Sequence, residues 1–307
     1  MIKVFGHLSP DTDTVCSAMI WAWYINEHTS EDAEACVLGE LNTETTFVLN
    51  HWNHSVPALL ESLSEGEQVI VVDTNNPQEL PENINDAELV QLIDHHKLVA
   101  GLETSAPIDI TVRPLACTAT IMYDLMGEEV ANNLPNEIAG LMLSCIISDT
   151  LAFRSPTTTP HDKDLAEKLA TQLGVDIDAY ATDQLAAKSD VSSFSDAGLI
   201  KLDSKKYDVG DRNFRVSVLE TTTPEKILER KAGLVSAIEE CIAEENDVDD
   251  VLFFIIDILK EEATVLTYND LTKEVIEKSF GVTVESDTEV LPGILSRKKQ
   301  IVPVLKR

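Results

Sequence analysis

The chain has 307 residues, room for two domains at roughly 150 residues each. Apolar residues make up 44% and charged residues 25%, the balance of a globular protein rather than a disordered or membrane-embedded one. Asp and Glu number 54 against 23 Lys and Arg, and the formal charge of −31 repels polyanions, which argues against nonspecific binding to nucleic acid or to an anionic bilayer.

Residues 2–5 read as a short strand, 6–14 as a polar loop, and Val15 to Glu27 as an apolar helix carrying Trp21, Trp23 and Tyr24. Val69 to Val72 and Leu89 to Ile93 are further β-rich runs, each ending abruptly in an acid, Asp73 and Asp94. Short continuous apolar strands alternating with helices predict an α/β fold with a parallel sheet. Glu137 to Ser148 makes a strongly apolar helix that ends at Asp149. The run Lys188 to Ser195 is small and polar, the composition of a hinge. The expected domains are therefore 1–188 and 196–307, joined by a linker at 189–195. Beyond the linker come a strand at 213–219, one long helix from Pro224 to Glu245, strands near 251–258 and 263–268, a helix near 271–280 and a final strand from Gln300 to Leu305. This second domain is smaller, also α/β, with a mixed sheet.

Five cysteines, Cys16, Cys36, Cys117, Cys145 and Cys241, are odd in number and contain no C-x-x-C pair, so structural zinc and thiol redox chemistry are not indicated. The opening residues lack the basic-then-apolar run of a secretory signal. Val251 to Leu259, the longest apolar stretch, carries Asp257 and is too short to span a bilayer. The expected location is cytoplasmic.

Ligands bind at the carboxyl ends of the strands in an open parallel sheet, so residues just after each strand converge in space while lying far apart in sequence. Those residues are His7, Asp11 and Asp13 after the first strand, Asp73 after the second, and Asp94, His95 and His96 after the third; Asp149 at a helix end closes the same set. Imidazole nitrogen and carboxylate oxygen together suit a divalent transition metal such as Mn²⁺, Co²⁺ or Fe²⁺. So many carboxylates packed without cations would raise one another's pKa values, and their number exceeds the needs of one ion. Taken singly, Asp11-Thr12-Asp13 also fits a turn that bonds its own backbone, and Asp73 fits a capping acid. His28, His51, His54 and His161 fall outside the pattern. Ser296-Arg297-Lys298-Lys299 and Lys306-Arg307 place five of the 23 basic residues in the final twelve positions. They are either a solvated tail or a set of phosphate donors, with Lys205 a weaker candidate for the same role. P-loop, dinucleotide-binding and G-x-S-x-G signatures are absent from the sequence.

The motifs Phe5-Gly6-His7 with Pro10-Asp11-Thr12-Asp13-Thr14, Val72-Asp73, Asp94-His95-His96, Cys117-Thr118-Ala119-Thr120, Leu141 to Ser144 leading to Ser148-Asp149, and Ser296-Arg297-Lys298-Lys299-Gln300 resemble those of the family II, manganese-dependent inorganic pyrophosphatases of the DHH phosphoesterase superfamily. The resemblance implies a parallel-sheet DHH domain followed by a smaller α/β domain, with the active site in the cleft between them. It implies a first metal held by His7, Asp11 and Asp73, and a second held by Asp13, Asp73, His95 and Asp149, with Asp73 as the bridge. His96, Lys205, Arg297 and Lys298 would contact substrate phosphates, and Asp94 would support the histidines. The implied reaction is hydrolysis of inorganic pyrophosphate to two phosphates by a metal-bridged hydroxide. Two Mn²⁺ or Co²⁺ ions would serve each subunit, additional Mg²⁺ or Mn²⁺ would arrive with substrate, and the protein would be a homodimer. Thr74 departs from the pattern, standing where many relatives carry histidine. No segment is long enough to form the regulatory nucleotide-binding insert of some relatives. An exopolyphosphatase or another phosphoesterase of the superfamily is the alternative activity, and a metal-binding protein with a dead site is the alternative without one.

Overall fold

The computed structural model describes residues 1–245 and 247–307. The chain divides into two compact units, Met1–Phe153 with Thr157–Ala187, and Arg154–Pro156 with Lys188–Arg307. The second unit thus takes in three residues that fall within the sequence span of the first.

The first unit contains β1 (Ile2–Phe5), α1 (Thr12–His28), β2 (Ala33–Val37), α2 (Thr43–His51), β3 (Ala58–Leu59), β4 (Gln68–Val72), β5 (Glu88–Asp94), β6 (Asp109–Val112), α3 (Thr118–Leu125), α4 (Gly127–Ala131), α5 (Asn136–Thr150), α6 (Pro160–Leu173) and α7, which starts at Ile177 and runs to Lys188 at the boundary. Its six strands lie in the order β3-β2-β1-β4-β5-β6, every neighbouring pair parallel. Side chains alternate across a strand, and β4 shows why an all-apolar run suits this sheet. Ile70 and Val72 enter the larger core with Val15, Ile20, Leu141 and Met142 from α1 and α5. Val69 and Val71 enter the opposite core with Phe5, Leu80 and Leu89. Gly6, at the end of β1, is required by close packing: a Cβ there would lie 2.8 Å from the Val72 carbonyl oxygen and 2.6 Å from the Thr14 methyl.

The polar stretch 6–14, expected as loop throughout, is helical from Thr12 onward. Asp11 is the N-cap residue, its Oδ1 accepting from the Thr14 amide at 3.0 Å, so a helix begins three residues ahead of its apolar face.

The second unit contains α8 (Asp196–Leu202), β7 (Ser204–Val209), β8 (Arg212–Thr221), α9 (Pro224–Leu228), α10 (Lys231–Glu244), β9 (Asp250–Asp257), β10 (Glu262–Leu266), α11 (Asp270–Phe280) and β11 (Thr288–Pro292). Its strand order is β11-β10-β9-β8-β7. The β8–β9 pair is parallel and the others antiparallel, so the sheet is mixed. Residues 189–195 are bonded into this unit: the Ser189 hydroxyl accepts from the Thr222 amide at 2.8 Å, and Ser195 caps α8. Two expected elements differ. The single helix at 224–245 is two, α9 and α10, because the chain turns at Glu229–Arg230, where the Arg230 guanidinium is drawn to Asp196 Oδ1 (2.8 Å) and the Phe194 carbonyl (2.7 Å). The final strand at 300–305 does not form. Arg297–Ile301 is a wide helical turn, and Val302–Val304 a 3₁₀ turn. Ser296 caps the first through its hydroxyl, and Pro303 lacks the amide a ladder needs. Among the described residues, no helix is long and apolar enough to cross a membrane, and all five cysteines are free and buried.

Candidate metal centre

β1, β4 and β5 are neighbours in the sheet, so the residues at their carboxyl ends meet. His7 follows β1. Asp73 follows β4 in the left-handed region (φ 59°). Asp94 ends β5, and His95 and His96 come next. Asp11 and Asp13 enter from the first turn of α1, and Asp149 from the last turn of α5. Three overlapping donor sets result, each with its ligand atoms within 4.8 Å of one another: His7, Asp11 and Asp73; Asp13, His95 and Asp149; and Asp73, His95 and His96. His7 Nε2 lies 3.7 Å from Asp11 Oδ2 and 3.5 Å from Asp73 Oδ2. His95 Nε2 lies 3.3 Å from Asp73 Oδ1 and 3.7 Å from Asp149 Oδ2. The two oxygens of Asp73 therefore face two different imidazoles.

The charges in this cluster are far from their resting values. Burial lowers the basicity of His7, but the Asp11 and Asp73 carboxylates outweigh it and hold the imidazole up at about 10. Burial, joined by the negative charge of Asp73, pushes Asp13 up to about 7. Asp73 goes the other way: burial opposes its charge, but the bonds to His7 and His95 and the charge of His96 hold it well below the usual carboxylate range. His96 is pulled down to about 4 by burial and by the charge of His95. Without a metal, the site thus retains protons at His7 and partly at Asp13, the response of crowded carboxylates to a missing positive charge.

The carboxylates are also held by neutral donors. Thr14 Oγ1 donates to Asp73 Oδ2 at 2.6 Å, and Thr118 Oγ1 to Asp73 Oδ1 at 3.2 Å. Asp13 accepts the Thr118 amide at 2.6 Å, the Ala119 amide at 3.3 Å and the Ser17 hydroxyl at 2.9 Å. His95 Nδ1 donates to the Leu115 carbonyl at 3.1 Å, leaving Nε2 for the site. Asp94 lies behind His96, accepting its backbone amide and its Nδ1, each at 2.9 Å. Asn75 braces Asp94 in turn, through Nδ2 at 2.5 Å. Thr74, where an imidazole was the expected pattern, donates to Glu79 Oε2 at 2.9 Å. Sequence reasoning passed over Thr14, Thr118 and Leu115 as donors and acceptors. Thr14 and Thr118 stand inside quoted motifs, but only the fold shows where their hydroxyls point.

The donor chemistry fits a divalent transition metal. Nitrogen and carboxylate oxygen are the ligands such ions take. The separations of 3.3–3.7 Å between His95 Nε2 and its carboxylate neighbours are those of atoms sharing one ion at about 2.1 Å. In the second unit, Arg297 pairs with Asp203 Oδ1 at 2.6 Å and donates to the Asp203 carbonyl at 3.0 Å, which seats the Ser-Arg-Lys-Lys motif beside the start of β7, the strand carrying Lys205. Lys299 donates to the Pro156 carbonyl at 2.8 Å. The four other histidines stand apart from the three donor sets; His161, for instance, pairs with Asp124 at 2.9 Å.

Comparison with known proteins gives concordant results. Residues 1–146 match the DHH family, N-terminal domain, and residues 182–307 the DHHA2 domain. The chain is 40% identical over 305 residues to the probable manganese-dependent inorganic pyrophosphatase of Bacillus velezensis, covering 99% of this chain and 97% of that one. It is 39% identical over 306 residues to the manganese-dependent inorganic pyrophosphatase of Bacillus subtilis, with the same coverage. Among solved structures, the putative family II inorganic pyrophosphatase of Methanococcus jannaschii superposes with a TM-score of 0.85 at 35% identity, covering 99% of this chain and 97% of that one. With the two matched domains in the order of the two units and this identity over nearly the whole length, the chain belongs to the family II, manganese-dependent inorganic pyrophosphatases of the DHH superfamily.

Proposed function

We propose that the protein hydrolyses inorganic pyrophosphate to two phosphates, using two manganese or cobalt ions per subunit. His7, Asp11 and Asp73 would hold one ion; Asp13, Asp73, His95 and Asp149 would hold the other. The observation that carries the reading is Asp73, whose Oδ2 faces His7 and whose Oδ1 faces His95, the disposition of a carboxylate that bridges two ions. Divalent ions bound there would acidify a coordinated water and neutralise phosphate charge.

The remaining work falls to the chain's own groups. Leu115 fixes the ring of His95 through Nδ1, so that Nε2 would be the atom offered to an ion bound there. Asp94 orients His96 through Nδ1 and leaves Nε2 for a phosphate oxygen, where the charge of the substrate favours the protonated, donating form. Arg297 offers a planar fork, and Lys298 and Lys205 offer point charges, for the outer phosphate oxygens as negative charge spreads over the equatorial and leaving positions. Asp203 holds the Arg297 fork in one orientation before substrate arrives. The reading also includes a further Mg²⁺ or Mn²⁺ entering with pyrophosphate, a homodimer, a joint at 189–195, and action in the cytoplasm.

The test is phosphate release by metal-stripped protein, with Mn²⁺, Co²⁺, Zn²⁺ and Mg²⁺ restored in turn and pyrophosphate competing against polyphosphate, nucleotides and short oligonucleotides. Pyrophosphate should be the preferred substrate with Mn²⁺ or Co²⁺. Faster turnover of polyphosphate would move the assignment to an exopolyphosphatase, and no phosphate release with Mn²⁺ would end it.

A further inference from the structure

The segment Leu115–Thr120 supports the metal centre at several points. The Leu115 carbonyl accepts from His95 Nδ1. The Thr118 and Ala119 amides hold Asp13, and the Thr118 hydroxyl reaches Asp73. Two of the three donors in the Asp13, His95 and Asp149 set thus take their orientation from this one stretch of backbone, whereas Asp11 is set by its own capping bond to Thr14.

What holds the segment is a fully buried carboxylate outside the site, Asp162 on α6. It completes a capping box with Thr159, accepting the Thr159 amide at 2.9 Å and hydroxyl at 2.5 Å. The box itself is the Thr159 amide on the Asp162 carboxylate and the Asp162 amide on the Thr159 hydroxyl at 3.3 Å. Asp162 goes further: it accepts the Ala116 amide on both oxygens, at 3.2 and 3.3 Å, and the Thr120 hydroxyl at 2.8 Å. The two ends of the segment are thereby pinned on either side of the amides that hold Asp13.

We propose that Asp162 is a positioning residue for the metal centre, acting through Ala116 and Thr120 to orient Asp13 and His95 and so setting affinity chiefly at the ion site that Asp13 and His95 share. The inference rests on the two-ion reading above. Groups that orient metal ligands typically change metal affinity by 10–100-fold when removed.

The experiment is Mn²⁺ titration of the metal-stripped full-length protein by calorimetry, with thermal melting in parallel. Asp162→Asn and Thr120→Val should weaken one binding step about 10–100-fold and the other, reached only through Thr118 and the shared Asp73, distinctly less; Thr120→Ser, which keeps the hydroxyl, should restore both. Thr159→Ala removes the cap and one hydroxyl donor to Asp162 but keeps the Asp162 bonds to Ala116 and Thr120, and should lower the melting temperature while moving neither step as far as Thr120→Val does. Should Asp162→Asn not fold, Thr120→Val and its serine rescue decide. Two unchanged steps in the hydroxyl-deleted variant would overturn the proposal. So would parallel weakening of both steps that Thr159→Ala reproduces, because that is the mark of a purely structural role. A wild-type protein that binds fewer than two ions would overturn the metal-centre reading itself and this inference with it.

Discussion

Replacing Asp13 with asparagine should make the metal-free protein more stable at pH 8 while removing much of what Mn²⁺ adds. Burial and the nearby Asp73 charge raise the Asp13 carboxyl from 3.8 to about 7. The folded state therefore keeps a proton there that the unfolded chain has lost. Stability falls as pH rises from about 4 to 7, and the deficit is complete above 7. Three pH units at 1.36 kcal/mol each make that deficit about 4 kcal/mol. Asparagine never ionises, but its NH₂ replaces one of two accepting oxygens. If the amide nitrogen takes the Oδ1 side, the Ser17 hydroxyl at 2.9 Å can turn and accept, whereas the Ala119 amide at 3.3 Å loses its partner, a cost of about 1–3 kcal/mol. The net gain at pH 8 is about 1–3 kcal/mol, a rise in melting temperature on the order of 2–10 °C for a unit of this size. At pH 5 the wild-type deficit is only about 2 kcal/mol, and the advantage should vanish. Thermal melts of chelator-treated protein from pH 5 to 8, repeated with Mn²⁺, read all of this. A variant that melts at or below wild type at pH 8, or a gap that does not widen from pH 5 to 8, refutes the reasoning.

Mn²⁺ uptake near pH 8 should release at least one proton, because His7, held at about 10, must become neutral to bind through nitrogen; calorimetry in buffers of different ionisation enthalpy counts it, and zero release would remove His7 from the ligand set. Asp73→Ala should lose bridged metal and nearly all turnover, and retention of a tenth of the activity with both ions bound would count against the bridge. Arg297→Ala should lower kcat/KM for pyrophosphate by roughly 10²-fold, with Arg297→Lys recovering only part, since a point charge does not replace a fork. Its stability should fall by about 1–3 kcal/mol, because the Arg297 side chain is mostly buried and loses both its pair with the half-exposed Asp203 carboxylate and its bond to the Asp203 carbonyl. An unchanged kcat/KM would return the C-terminal basic residues to solvated tail.

The candidate metal-centre residues were legible because a parallel sheet collects strand ends. His7, Asp73, His95 and His96 each follow a short apolar run, so their convergence needed only the alternation of strand and helix. Asp11 and Asp13 were located, but the local structure around them was not. Polar residues at 12–14 read as loop, although an aspartate accepting an amide three residues on is a helix start. The end of the chain misled for the opposite reason: Ile301, Val302, Val304 and Leu305 look like a strand, while Ser296, Gln300 and Pro303 carry the turn. Gln300 Oε1 accepts the Leu295 and Ser296 amides, both at 2.9 Å, and no apolar pattern reports that. Asp162 was invisible as a support for the site, although Thr159-Pro160-His161-Asp162 is legible as a capping box. That its spare acceptors reach Ala116 and Thr120 depends on α6 lying beside a loop more than forty residues earlier.

The acids of this site are placed in two ways, and one of them leaves an acid opposed by the helix that carries it. Asp11 sits at the N-terminus of α1, and Asp13 accepts the first amides of α3, positions where helix ends stabilise negative charge. Asp149 has no such support from its own helix. It lies in the last turn of α5, where the helix dipole opposes an anion by roughly 0.3–1 kcal/mol. Three consecutive non-glycine residues, Leu151, Ala152 and Phe153, then take left-handed backbone at φ 50°, 50° and 68°, each at a cost of about 1–2 kcal/mol. A chain selected only to fold would place glycine or a base there. Keeping an acid on the wrong end of a helix, followed by a strained turn, is explicable when Asp149 must face His95 and Asp13. A divalent ion among those donors would offset what the helix and the turn oppose.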